Sequence, residues 1–327
     1  MKMERIEKKN ERYSRQIILP EIGVKGQKKI ERAVVGIIGV GALGTVAAEL
    51  LVRAGVGRVV LIDRDVIEES NLQRQALYVE QDVGKSKAIV AGERLKLINS
   101  KVEIEVNAVQ LDYKNIDLLK ECDVVLDCCD NLKTRFLINE YCRLKKKKWV
   151  YAAGIKTVGY VMPIVPTGPC LRCFLSEASL ETCETAGVLN ALTYSIGALQ
   201  VSEALKLIMG SVDGSKLYYY DVWAPMLQMI NVKRNPKCGV CKGEYTYLKG
   251  EGQELILKFC STGRYQIQGK KKDLAQMKRA WEKMGRVVDE GSVLHFKNMT
   301  LFSDGRVLIK AKTEEEALAM YSKWVGN

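Results

Sequence analysis

Histidine is almost missing. His295 is the only imidazole in 327 residues, so Ser-His-Asp or Cys-His catalysis, or a metal site needing two imidazoles, would rest on one side chain far from any serine or cysteine motif. Those reaction classes are set aside. A disulfide framework is absent as well: ten cysteines in a chain of this length fall well below the density of a small secreted scaffold, which leaves reduced thiols or metal ligands. The opening stretch, MKMERIEKKNERYSRQ, has no apolar leader region, and its Glu4, Glu7 and Glu11 speak against a transit peptide, so a cytoplasmic protein is expected. Residues 188–209 form the longest apolar stretch, but Gln200, Glu203 and Lys206 interrupt it. It reads as a buried or interface helix and not as a membrane span. Nor is charge concentrated. The net +12 divides into +8 over residues 1–242 (36 basic, 28 acidic) and +4 over residues 243–327 (15 and 11), which favours a solvated lysine-rich surface over specific nucleic-acid binding.

What the sequence does contain is alternation. An apolar run at 33–38, a glycine-rich turn, a helical stretch at 43–54 and a second run at 58–62 make a strand-helix-strand unit. A helix over 85–99, strands at 102–107 and 123–127, and a helix over 132–145 continue the pattern. The expected fold class is therefore α/β: a doubly wound, Rossmann-like, mostly parallel sheet with a small C-terminal α+β domain. Near residue 242 the pattern shifts to short strands, dividing a core of 1–242 from a domain of 243–327. In the latter, strands are expected at 255–259, 265–268, 292–296, 299–302 and 306–310. Leu274, Met277, Trp281 and Met284 recur at helical spacing, and Thr313 with Glu316 suits a capping box. No role can be assigned to this domain, and His295 within it reads as structural or exposed.

Gly39-Val40-Gly41-Ala42-Leu43-Gly44 follows a strand and opens a helix, so its main chain can approach a phosphate and offer free N–H groups to it. Asp63, at the end of the next strand, stands where a carboxylate bonds ribose hydroxyls. These residues alone leave NAD and ATP open. The stretch that follows, with Asp65, Asn71, Arg74 and Gln75, then Lys87, then Asp130 and Asn131 after the strand at 123–127, favours ATP. A nicotinamide needs an apolar slot, whereas this set supplies cations for a triphosphate and a carboxylate for Mg²⁺.

Cys170-Leu171-Arg172-Cys173 and Cys238-Gly239-Val240-Cys241 are two CxxC knuckles able to supply four thiolates to a tetrahedral structural Zn²⁺, with no ligand position left for catalysis. Cys122, Cys128, Cys129, Cys142 and Cys260 read as packing residues. Lys145 to Lys148 read as a solvated helix end that also suits the helix dipole.

The segments RYSRQIILPEIG, GVGALG, LIDRDVIEESNLQRQ, GKSKA, LDCCDN, TCETAGV and the two knuckles make residues 11–243 resemble the ThiF/MoeB branch of ubiquitin-activating-enzyme-like adenylyltransferases. The resemblance implies ATP-dependent adenylylation of the C-terminal glycine of a ubiquitin-like sulfur carrier ending in Gly-Gly, with release of pyrophosphate. It implies that Gly41, in a nucleotide-binding loop that includes Gly39 and Gly44, approaches the phosphates and that Asp63 binds the ribose. Asn71, Arg74 and Lys87 would hold the triphosphate, and Asp130 would serve Mg²⁺ and the reaction centre. Arg15 would reach across a homodimer interface into the partner's site, and Cys183, on a crossover loop, is a candidate for covalent transfer. A sulfurtransferase or cysteine desulfurase is an implied further partner. Adenylation of another carboxylate, on a peptide or a modified tRNA nucleoside, stands as the alternative. An NAD-dependent oxidoreductase and a nucleotide-sensing scaffold are more remote.

Overall fold

After two short helices, α1 (Ser14–Ile17) and α2 (Gly23–Ile30), the apolar runs seen in sequence become the centre of a sheet. β1 (Val34–Ile38) and β2 (Arg58–Ile62) pair in parallel through α3 (Ala42–Ala54), with Ile38 beside Ile62. α4 (Lys87–Ile98) leads to β3 (Glu103–Asn107), and β4 (Val124–Asp127) leads to α5 (Leu132–Leu144). Then come β5 (Lys148–Ile155), β6 (Val158–Ile164), α6 (Asn190–Met209), β7 (Lys216–Asp221), β8 (Met226–Asn231) and the one-turn α7 (Gly239–Lys242). This computed structural model describes residues 8–175, 186–212, 214–250, 256–259 and 264–326, with the side chains of 8–10 and 256–259 left aside.

The eight strands lie in the order β3-β2-β1-β4-β5-β6-β7-β8. From β3 to β5 every pairing is parallel, and from β5 to β8 every pairing is antiparallel. β1, β2 and β4 are almost fully buried, as strands covered on both faces must be, and this accounts for their unbroken Val, Ile and Leu runs. One apolar core includes Ile37, Leu51, Leu61, Leu95 and Ile196, and the other includes Val60, Phe136, Ile138, Trp149 and Met162. α6 lies against α3 so closely that a Cβ at Gly197 would stand 2.9 Å from Val46. Among the described residues no helix is long and apolar enough to cross a membrane.

The chain order reverses between β1 and β4, whose carboxyl ends lie side by side, with Ile38 next to Asp127. In doubly wound sheets ligands bind at such a switch point. The glycine loop and the 128–130 loop both start there.

Two compact units result: 1–82 with 87–251, and 83–86 with 252–327. The second holds an antiparallel sheet of β9 (Ile256–Phe259), β10 (Arg264–Gln268), β11 (Val287–Asp289), β12 (Val293–Phe296), β13 (Met299–Phe302) and β14 (Arg306–Lys310), in the order β11-β12-β13-β14-β10-β9. Its helices are α8 (Leu274–Glu282) and α9 (Glu314–Trp324). Trp281 stacks on Phe296 at 5.0 Å in its core, which also includes Tyr265, Leu301 and Ile309. Thr313 caps α9 by accepting from the Glu316 N–H at 3.2 Å, while the Glu316 carboxylate reaches the Lys312 N–H at 2.8 Å and not that of Thr313. His295 is half-buried, with Nδ1 3.0 Å from Thr300 Oγ1.

One surface reading is corrected. Lys145 and Lys146 are exposed, but Lys147 donates to the carbonyls of Lys120 (2.7 Å) and Cys122 (2.8 Å), and Lys148 to that of Leu207 (3.1 Å). The ammonium groups satisfy carbonyls at loop and helix ends, which draws half of the lysine run out of solvent.

Candidate functional site

The three glycines of the loop after β1 are small for different reasons. Gly39 has φ +87°, and a Cβ there would stand 2.6 Å from the Cys128 carbonyl oxygen. At Gly44, on the first turn of α3, a Cβ would stand 1.9 Å from the Gly39 carbonyl oxygen. Fold alone requires both. At Gly41 a Cβ would meet, among the described residues, only Gln75 Nε2, at 3.7 Å, so those residues leave that space open. Gly41 is also the N-cap of α3, and among the described residues no side chain caps the helix there. Its first N–H groups and the positive end of its dipole form an anion-binding position.

Around this terminus the polar groups are interlocked. Asp63 accepts from the N–H of Val40 (2.6 Å, Oδ2) and of Asp65 (2.7 Å, Oδ1), tying the end of β2 to the glycine loop. A carboxylate has about four lone-pair sites, so acceptor capacity remains at both oxygens. Burial and the neighbouring Asp65 push the Asp63 carboxyl pKa up against the pull of Lys87. Lys87 begins α4 and is itself buried, with Nζ 3.4 Å from Asp65 Oδ2. Burial works against its charge, but Asp65, Asp63 and Asp130 outweigh burial and its pKa is raised. A buried cation paired with Asp65 thus stands at the start of α4, whose first carbonyl the Tyr78 hydroxyl links to the glycine loop.

Gln75 is buried next to Gly41, and among the described residues its Oε1 has no partner. Asn71, also buried, accepts from the Glu68 N–H at 3.1 Å and closes the turn before Arg74. Arg74 is half-exposed, with Nη1 donating to the Ser70 carbonyl at 2.8 Å. Asp130 is exposed. Asn131 caps α5, its Oδ1 accepting from the Thr134 N–H at 2.9 Å, so it has a structural task at this point. Arg15 is exposed on α1 and carries no ion pair among the described residues. Cys183 lies outside the described residues, as does Cys260.

Four further residues support the loops and were not anticipated. The Tyr78 hydroxyl lies 2.7 Å from the Val40 carbonyl and 3.1 Å from that of Lys87, linking the glycine loop to α4. Thr45 Oγ1 donates to the Gly41 carbonyl at 2.8 Å and accepts from the Ala76 N–H at 3.1 Å. Gln200, fully buried on α6, donates to the carbonyls of Asp127 (2.9 Å) and Val150 (3.1 Å). Arg135, buried on α5, lies 3.5 Å from Asp127, 5.2 Å above the Tyr151 ring, and donates to the Cys129 carbonyl just before Asp130. A charged or amide side chain inside an apolar helical run, as at Arg135 and Gln200, was the available signal. Tyr78 and Thr45 carried none.

The cysteines divide by environment. Cys122, Cys128, Cys129 and Cys142 are buried, and burial raises their thiol pKa values. The sulfurs of Cys170, Cys173, Cys238 and Cys241 lie within 4.8 Å of one another. Four of the separations are 3.5 Å (170–241), 3.6 Å (170–238 and 173–241) and 3.8 Å (170–173). A tetrahedron with Zn–S bonds of about 2.3 Å has edges of about 3.8 Å, so the donor set and its spacing fit zinc.

The model of the ThiF family matches residues 13–240. The Sulfur carrier protein ThiS adenylyltransferase of Bacillus subtilis is 35% identical over 335 residues, covering 96% of this chain and 99% of that protein. The Sulfur carrier protein adenylyltransferase of Thermus thermophilus is 39% identical over 249 residues, covering 72% of this chain and 92% of that one. Among solved structures, E. coli MccB with ATP is similar at a TM-score of 0.64 and 26% identity, over 72% of this chain and 75% of that chain.

Proposed function

The chain belongs to the ThiF family, and from that premise we propose that it uses ATP to adenylylate the C-terminal glycine of a ubiquitin-like sulfur-carrier protein, releasing pyrophosphate. The observation that carries this reading is the open terminus of α3 beside the buried Gln75, whose Oε1 has no partner among the described residues, with the buried Lys87 held by Asp65. Anion-binding N–H groups and a cation already in place suit a triphosphate, and an orphaned acceptor suits a hydroxyl or amino donor of the nucleoside.

ATP, when bound, supplies an electrophilic α-phosphorus and a pyrophosphate leaving group. Gly41 and the first turn of α3 would receive phosphate oxygens, and the free lone pairs of Asp63 would take ribose hydroxyls. Asn71 and Gln75 would help orient the nucleotide through their amide groups, Arg74 and Lys87 would cancel triphosphate charge, and Asp130 would hold Mg²⁺ near the reacting centre. Asp65 keeps Lys87 charged and in place before phosphate arrives. Tyr78, Thr45 and Arg135 act at one remove, fixing the loops that carry these groups. A glycine carboxylate is ionised at neutral pH, so the attack needs no general base, in keeping with a chain of one histidine. Positioning and charge cancellation then supply most of the rate.

The four-cysteine cluster is read as a structural zinc site holding the end of the core together. Support for a homodimer with Arg15 entering the partner's site, and for a sulfur-donating sulfurtransferase or cysteine desulfurase, comes from family membership alone. The same holds for a covalent role of Cys183. A cytoplasmic setting follows from the reduced thiols this reading requires.

Pyrophosphate exchange into ATP is the direct test. It should need both the enzyme and a carrier ending in Gly-Gly, and vanish when that terminus is removed. Arg74→Ala and Asp130→Ala should each lose about 2–4 kcal/mol of transition-state stabilisation. Exchange that ignores the carrier terminus would refute the substrate assignment.

A further inference from the structure

α5 makes a series of bonds to the segments that carry the cysteines. Asn139 Oδ1 accepts from the Leu171 N–H at 2.9 Å, inside the first knuckle. The Glu140 carboxylate accepts from the N–H groups of Thr246 (3.1 Å) and Leu248 (3.0 Å), just after the second. Arg143 does more. Its Nη2 donates to Cys241 Sγ at 2.6 Å and to the Gly168 carbonyl at 3.0 Å, and its Nη1 donates to the Pro166 carbonyl. One guanidinium therefore joins the loop that leads into Cys170 to a sulfur of the opposite knuckle.

The charge of such a cluster calls for this. Four thiolates around a divalent cation leave two negative charges, and Cys170 and Cys238 are buried. Hydrogen bonds from outer-shell groups orient ligands and tune their basicity, and charge-assisted bonds are the strong ones. A lysine could match the charge but not the fork, which serves a sulfur and two carbonyls from one plane. Arg143 Nε and Asn139 Nδ2 have no partner among the described residues, and both side chains line a cavity of about 10 Å³ that also touches Cys170. That is room for one water molecule, which would extend the same network to the first knuckle.

We infer that Arg143 is the positioning residue of the four-cysteine metal site, clamping the two knuckles together through its bond to Cys241 and countering the thiolate charge. The inference rests on the reading of the cluster as a zinc site and is independent of the nucleotide chemistry.

The test uses the full chain, purified with its zinc, and follows transfer of the metal to a chromogenic chelator. Arg143→Met should release zinc about 10–100-fold faster than wild type, the scale of an outer-shell loss, and Arg143→Lys should fall between the two. Glu140→Gln, which alters a bond to main chain but touches no sulfur, should stay within about twofold of wild type. In cobalt-substituted protein the thiolate-to-metal charge-transfer band should shift in both Arg143 variants and not in Glu140→Gln, a signature that loosened packing would not reproduce. If Arg143→Met does not fold, Arg143→Lys decides. A folded Arg143→Lys with wild-type release and an unshifted band would overturn the role. Wild-type protein carrying less than about half an equivalent of zinc would instead overturn the metal reading itself, and the clamp with it.

Discussion

At the scale of single residues, the glycine loop separates what the fold needs from what the ligand needs. Gly44→Ala would drive a methyl group into the Gly39 carbonyl, and neither backbone can retreat. We expect a loss of at least about 2–3 kcal/mol in chemical denaturation. Among the described residues Gly41→Ala meets only the end of a flexible glutamine, so its stability should stay within about 1 kcal/mol of wild type. Its Michaelis constant for ATP should nonetheless rise, because the added methyl occupies the space for phosphate. Equal losses of stability in the two variants would contradict this division. A second residue-scale expectation concerns pH. Burial pushes the Cys122 thiol up to about 12, against the opposing pull of Lys147. Its folded pKa thus lies above the unfolded value of about 8.5, so its contribution is complete below pH 8.5 and is lost as pH rises toward 12. Between pH 7.5 and pH 10 that loss is about 2 kcal/mol. Urea denaturation at both pH values should show wild type losing about 2 kcal/mol more than Cys122→Ala, whose other buried thiols still titrate.

At the scale of elements, α5 connects the two regions of interest. Asn131 and Asp130 stand at its start, and Arg143 stands one residue before its last, Leu144. Replacing the cap, Asn131→Ala, should cost about 1 kcal/mol in thermal or denaturant unfolding, while Asn131→Asp should retain most of it. The parallel strands and their helices were legible because burial on both faces forces unbroken apolar runs, and β2, β13 and β14 fall at the residues the pattern marks. The antiparallel half from β5 to β8 was not. β8 is exposed along its whole length, with Leu227, Met229 and Ile230 open to solvent, so no inside-outside alternation marks it as a strand. Its pairing with β7 is a long-range decision that a local pattern does not carry.

For the whole molecule, the two units have separate apolar cores, and all four clustered cysteines belong to the first unit. With zinc in the cluster, as proposed, a chelator should therefore lower the melting temperature of the first unit and leave the melting of the Trp281–Phe296 core unchanged, as calorimetry of treated and untreated protein can measure. A single transition that moves as one would show that the units unfold together.

Residue type and spacing by themselves determined the α/β class, the glycine-rich loop after the first strand, the carboxylates and cations near it, and the two CxxC pairs, because each depends on local chemistry or on burial periodicity. Tertiary structure decided the rest. It made Gly41 the open glycine and Gly44 the space-limited one, since that distinction depends on which carbonyl lies opposite. It turned Lys147 inward and set Arg135, Tyr78 and Gln200 behind the loops, because a buried polar group is placed by partners distant in sequence. It also brought Arg143 to Cys241, across 98 positions of chain, where no spacing rule could have joined them.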